Sequence, residues 1–226
     1  MRKTSHQLGI SLVEMAVVLV VIGVIIGAVF KGATLLHNAK KQSTVAQIQQ
    51  LISNVQLFKE KYNFLPGDFP KASSDINESV PNGNGSGTLT GDPFSKSSPA
   101  GLFWVHLEAA ELFHTAMPNG ETLAYGDGLL PSELGGGFTV VYSPTTEMPG
   151  HWFVLGNKSG SSGEEPSLTP EEASYINKKL DNGSPLSGKV RSLDINRSAS
   201  GKCVADGRYN LQNKEKSCVM YIWFAP

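Results

Sequence analysis

Leu8-Gly9-Ile10-Ser11-Leu12-Val13-Glu14-Met15 runs directly into Ala16-Val-Val-Leu-Val-Val-Ile-Gly-Val-Ile-Ile-Gly-Ala-Val-Phe30. From Met15 to Phe30 there is neither charge nor proline, and most side chains are branched aliphatics. As a helix, Ile10 to Phe30 covers roughly 30 Å, about one bilayer hydrocarbon thickness. The stretch therefore reads as a membrane span. One carboxylate, Glu14, lies just inside it. A charge in hydrocarbon costs several kcal/mol and marks a function by default. Gly23 and Gly27 form a small-xxx-small pair that permits close helix packing in lipid, although glycine is common in membrane helices generally.

Upstream, Met1 to Gly9 carries Arg2, Lys3 and His6 and no acid. A basic leader before an apolar run fits either a secretory signal or a membrane anchor. A cleaved signal needs a small-x-small site after the run; Gly27-Ala28 and Gly32-Ala33 match that pattern poorly. The basic leader keeps the N-terminus cytoplasmic, with Lys31, Lys40 and Lys41 weakening the asymmetry.

Gly9-Ile10-Ser11-Leu12-Val13-Glu14-Met15 closely resembles the type III signal of type IV pilins and type II secretion pseudopilins, usually Gly-Phe-Thr-Leu-Ile-Glu. The resemblance implies that a prepilin peptidase cuts between Gly9 and Ile10 and methylates Ile10. Ile10 replaces the usual phenylalanine, and Glu14 becomes the fifth mature residue. It also implies an inner-membrane protein with a periplasmic head, assembled with other subunits into a pilus or pseudopilus by inner-membrane machinery. Physically, a carboxylate buried among packed helices requires a cationic partner, which the freed amino terminus of a neighbouring subunit supplies.

From Lys31 to Tyr62 the chain is polar but keeps helical spacing: Val45, Ile48, Ile52, Val55 and Tyr62 at three- and four-residue steps, with Leu51 and Phe58 on an adjoining face. An amphipathic continuation of the same helix is expected, with any bend or melting at Gly27 or Gly32. Asn63-Phe-Leu-Pro66-Gly67-Asp68 ends it, because the residue before a proline is pushed out of helical conformation. Tyr62-x-x-Leu65-Pro66-Gly67-Asp68 is also similar to a recurring feature of pilin-like proteins. Asp68 is expected to cap the turn that follows.

The domain plan is thus a leader over 1–9, a membrane and assembly helix over 10–30, its amphipathic continuation over 31–62, and a globular head over 63–226. The fold class is α+β: a long N-terminal helix packed on a head with a small antiparallel β-sheet, pilin-like in arrangement. Of the 226 residues 17% are charged and the net charge is −1. With no basic stripe, no nucleic-acid partner is predicted. Residues 71–101 read as a long surface loop rich in Ser, Asn, Gly and Pro. Asp75, Asn77, Asn82, Asn84 and Asp92 invite a Ca2+ reading, but they lack the Asp-x-Asp-x-Asp-Gly order with a distal Glu. No cofactor is expected, and Ca2+ is the one cation to look for.

Leu102 to Phe113 reads as a short helix carrying His106, with His114 eight residues further on; two histidines without a third ligand make a poor zinc site. Phe138–Tyr142 and Trp152–Leu155 read as a β-hairpin, and Gly156–Pro166 as a loop. Thr169-Pro170-Glu171-Glu172 is a helix start, with Thr as N-cap, proline at N1 and acid at N3. That helix should reach Leu180 and end at Asn182 or Gly183, with Asp181 serving its C-terminal turn. Val219–Phe224 is a final strand. Cys203 and Cys218, a near pair in an exported chain, read as a disulfide that stabilises by about 3 kcal/mol in the chain-entropy account. No Walker A, His-Glu-x-x-His, Gly-x-Ser-x-Gly or Cys-x-x-Cys pattern occurs. The expectation is a filament subunit and peptidase substrate, not an enzyme. The rival readings are a membrane-anchored periplasmic binding protein or enzyme, and a secreted domain with a cleaved signal.

Overall fold

The computed structural model describes residues 11–143, 145–194 and 201–226. It has the expected α+β class: one long apolar helix at the N-terminal end and an antiparallel sheet in the C-terminal part. Internal contacts divide the chain into two units, Met1–Lys40 and Lys41–Pro226.

Helix α1 (Leu12–Tyr62) belongs to both units and continues through Gly23, Gly27 and Gly32, so no glycine melts it. It stops at Asn63, whose φ of 60° is the left-handed conformation that asparagine tolerates at a helix C-terminus. The Asn63 N–H donates to Lys59 O at 2.8 Å, and Pro66 follows.

In the second unit, α1 buries Lys41, Thr44, Ile48, Leu51, Val55 and Phe58, a stripe of alternating three- and four-residue steps. The sequence pattern puts Val45, Ile52 and Tyr62 on the packing face together with Ile48 and Val55. The first three are only partly buried, because the face chosen by the head includes Thr44, whose hydroxyl meets Ser132 Oγ at 3.5 Å.

Residues 71–101 depart from the expected surface loop. They contain α2 (Ala72–Asp75) and the start of α3 (Pro99–Ala109), and they pin Val80, Leu89 and Phe94 in the core. Single apolar residues without periodicity hold this segment down. Helix α3 begins three residues earlier than the apolar run suggests because Ser98 Oγ accepts from Gly101 N at 3.1 Å and Pro99 occupies the first turn. It ends before Glu111, whose φ is 59°.

Two short strands, β1 (Ala124–Tyr125) and β2 (Gly128–Leu129), precede the main sheet. The hairpin of β3 (Gly137–Ser143) and β4 (Gly150–Ser159) follows as expected, in register through Val140 opposite Phe153. The expected Gly156–Pro166 loop is instead the end of β4 and a further strand, β5 (Ser162–Glu165), which turns back onto it. Its glycines suggested a loop, yet Gly156 and Gly163 lie where a Cβ would strike Gly163 O and the Thr139 side chain.

Helix α4 (Pro170–Leu180) opens with the expected capping box: Glu172 Oε2 accepts from Thr169 N at 2.8 Å, and Thr169 Oγ1 accepts from Glu172 N at 3.3 Å. β6 (Val190–Leu193), the short pair β7 (Val204–Ala205) and β8 (Arg208–Tyr209), and β9 (Val219–Ala225) complete the fold. The sheet order is β3-β4-β9-β6, antiparallel throughout, with β5 beside β4.

Strand alternation sends Phe138, Val140, Phe153, Leu155, Met220 and Ile222 into the main core with the α1 stripe and α3. Trp152, Val154, Leu193, Val219 and Tyr221 go to the opposite face. Cys203 and Cys218 form the disulfide, both fully buried.

Candidate assembly surface

Gly9 and Ile10, the expected cut and methylation positions, lie outside the described residues. The neighbouring helix start is described. Ser11 N donates to Glu14 Oε2 at 3.0 Å, while Ser11 Oγ accepts from Val13 N at 3.3 Å. This is a capping-box arrangement, with Ser11 ahead of the first helical residue and Glu14 three positions on. In the single chain, Glu14 thus satisfies a backbone donor at the positive end of its own helix. The Ser-x-x-Glu spacing was present in the sequence as a capping signal beside its other reading.

Beyond Glu14, residues 12–30 expose their side chains on every face of the helix: Leu12 is 90% exposed, Val24 67% and Phe30 72%. The surface is aliphatic all round, which suits hydrocarbon or neighbouring apolar helices and not water. By length and composition the helix can cross a membrane. At both Gly23 and Gly27 a Cβ would meet nothing within 4 Å, so these glycines serve no packing within the chain. They leave a shallow strip on the helix that another helix can approach closely.

The acid and amide side chains between Asp68 and Asp92 bond within the head. Asp68, expected to cap the turn that follows it, instead reaches the glycine-rich segment: its carboxylate accepts from Gly87 N at 3.0 Å and from Ser86 Oγ at 3.5 Å. Asn77, Asn84 and Asp92 each accept from a backbone N–H two residues on, while Asn82 Oδ1 accepts from Ser73 N and Asp75 from Ser74 Oγ. The five residues of the Ca2+ reading are thus each engaged in hydrogen bonds within the head. No group of three His, Cys, Asp or Glu side chains suited to a metal occurs among the described residues.

His106 and His114 do not share an environment. His114 is exposed, whereas His106 is fully buried, stacked on Phe58 at 6.1 Å between ring centroids. Its Nδ1 accepts from Gly67 N at 2.9 Å, which places the proton on Nε2, donating to Pro81 O at 2.8 Å. Burial lowers its pKa below the ordinary histidine value, against the opposing pull of the Pro81 carbonyl and Asp68. Gly67 permits this tether: at φ 81° it takes a conformation that L side chains resist, and a Cβ there would strike Pro99 O. His106 therefore clamps the end of α1 to α3 and the 66–83 segment. The sequence carried no signal for that role beyond a histidine on an apolar helix.

Asp181 holds the turn after α4: Oδ2 accepts from Lys189 N at 2.6 Å and Val190 N at 3.0 Å. Asp194 holds the disulfide segment, accepting from Cys203 N at 2.9 Å and Val204 N at 3.3 Å. No protein-family model, no curated protein and no solved structure matches the chain.

Proposed function

We propose that the chain is a pilin or pseudopilin-type subunit: a prepilin peptidase cuts it after Gly9, it is held in the membrane by α1, and it assembles through α1 into a filament. The head faces the periplasm before assembly. The observation that carries the reading is the combination at the helix start. A single carboxylate, five residues past Gly9, heads a helix whose aliphatic surface is exposed on all sides from Leu12 to Phe30. Beyond the cap that it makes at its own helix start, a plain anchor has no need of that carboxylate, which costs about 3 kcal/mol near the centre of a bilayer and less towards its edge. On this reading Glu14 leaves its own Ser11 N–H for the freed amino group of a neighbouring subunit, exchanging a cap hydrogen bond for a charged pair. Gly23 and Gly27 then let the neighbouring helix approach.

Mass spectrometry of the mature chain, produced in a bacterium with a prepilin peptidase, tests the processing step. The expected N-terminus is methylated Ile10; a start near Ala28 or Ala33 overturns the proposal in favour of an ordinary secreted domain. For assembly, Glu14→Val is expected to insert normally and give no filaments, and wild-type filament yield from that variant refutes the pairing.

A further inference from the structure

The sheet face opposite the α1 stripe carries a cluster of aromatic and basic side chains. Trp152 on β4 and Trp223 on β9 are register partners, so their indoles stand side by side on this face. Arg191 on β6 is the partner of Tyr221 and belongs to the same face. Its guanidinium carbon lies 5.7 Å from the Trp152 ring centre, and Lys189 Nζ lies 5.1 Å from that of Trp223. With Pro149 and Gly188, these four side chains line an open cleft of about 210 Å³.

Among the described residues no carboxylate comes within salt-bridge distance of Lys189 or Arg191. Arg191 is held by two carbonyls: Nε donates to Gly188 O at 3.2 Å and Nη1 to Glu147 O at 2.6 Å. Asp181 is close in the chain, but its Oδ2 already accepts from the Lys189 and Val190 N–H groups. The Glu164 carboxylate accepts from Tyr221 Oη at 3.1 Å. Trp152, 2% exposed, has an indole N–H with no acceptor among the described residues.

A fixed guanidinium, an exposed ammonium and a partly buried indole describe a particular ligand chemistry: one ring with an apolar face and one anionic group. We propose that this cleft binds an acidic saccharide, one uronate ring stacked on Trp223 with its carboxylate paired to Arg191 and Lys189. The Lys189 ammonium, on a flexible four-carbon stem, leaves the Trp223 face for the carboxylate as the sugar takes its place. Arg191 stays fixed and supplies the orientation. The cleft is smaller than the roughly 300–1,000 Å³ of a pocket for a drug-sized molecule, which limits it to a single ring. Two cations on a chain of net charge −1 are too few to track a nucleic-acid backbone.

The test uses the full chain in zwitterionic-lipid nanodiscs, titrated with trigalacturonate, its neutral galactose counterpart, a single-stranded oligodeoxynucleotide and anionic vesicles. Tryptophan fluorescence and saturation-transfer NMR report binding. Trigalacturonate is expected to saturate in the micromolar to millimolar range with ring protons in contact, and the neutral sugar to bind about tenfold more weakly, a difference of about 1.4 kcal/mol. Arg191→Gln and Lys189→Gln should each weaken trigalacturonate binding about tenfold, Lys189→Gln at unchanged melting temperature, and Trp223→Ala should remove the ring contacts. Equal affinity for the neutral sugar, no saturable signal at millimolar trigalacturonate, or binding of the oligonucleotide or vesicles alone each overturns the proposal. None of these outcomes depends on filament assembly.

Discussion

Asn177 offers the sharpest test of how the head is held together. It sits on α4 with no exposed surface, and its side-chain amide serves three chain segments. Nδ2 donates to Ser184 O and Val190 O, both at 2.8 Å, and contacts Tyr209 Oη at 2.9 Å; Oδ1 accepts from Gly183 N at 2.8 Å. Asn177→Leu keeps the volume but leaves Gly183 N–H and the two carbonyls without their partner, while Tyr209 retains Ser192 Oγ. At the low end of about 1 kcal/mol for each stranded group, the loss is about 3 kcal/mol. For a unit of this size that lowers Tm by about 6–12 °C. Thermal unfolding of the full chain in detergent micelles, followed by tryptophan fluorescence, measures it.

The companion Asn177→Asp separates hydrogen bonding from packing. A carboxylate facing two carbonyls in a buried site has its pKa raised in the folded state, so the neutral acid, which can donate, is favoured. Stability is then fully present below the unfolded carboxyl pKa of about 3.9 and is lost as pH rises through the raised folded value. If Asn177→Leu unfolds within about 1 kcal/mol of the parent, or Asn177→Asp shows no fall in stability relative to the parent as pH rises, the amide is not the fastening described and the reasoning fails.

The double variant Cys203→Ser/Cys218→Ser should lose about 3 kcal/mol, from the entropy of opening a loop whose ends lie 15 residues apart, and equal stability of the parent in reducing and oxidising buffer would contradict it. Burial holds both His106 and His151 below the ordinary histidine pKa. The unfolded chain therefore takes up protons first, and the head should lose stability as pH falls below about 6.5. NMR titration of His106 should show a midpoint below the ordinary histidine value, and a midpoint at or above it would refute the Gly67 tether. Gly101→Ala should cost about 1–3 kcal/mol by chemical denaturation, since its Cβ would stand 1.9 Å from Ser95 O where α3 crosses the preceding turn; a neutral result would show that this turn can yield.

Elements whose cause is local were legible in the chain. The capping box of α4 needs only Thr169, Pro170 and Glu172 in order, and the β3–β4 hairpin needs only two β-branched and aromatic runs near each other. Elements whose cause is a distant partner were not. β5 looked like a glycine-rich loop because its strand character comes from pairing with β4. Val80, Leu89 and Phe94 carry no period, and only the cavity they fill makes them core. The cleft of Trp152, Trp223 and Arg191 draws on three strands far apart in sequence, and register alone assembles it.

By itself the sequence determined the apolar helix with its single carboxylate, the α+β class, the disulfide pair and the capping box of α4, because each rests on neighbouring residues or on composition. Tertiary structure decided which stripe of α1 the head takes, the burial and tautomer of His106, the placement of Asp68, Asp181 and Asp194 on distant or returning backbone, and the two faces of the sheet. Those outcomes depend on which surfaces meet, and a buried polar group acquires its role only from the partner that the fold brings to it.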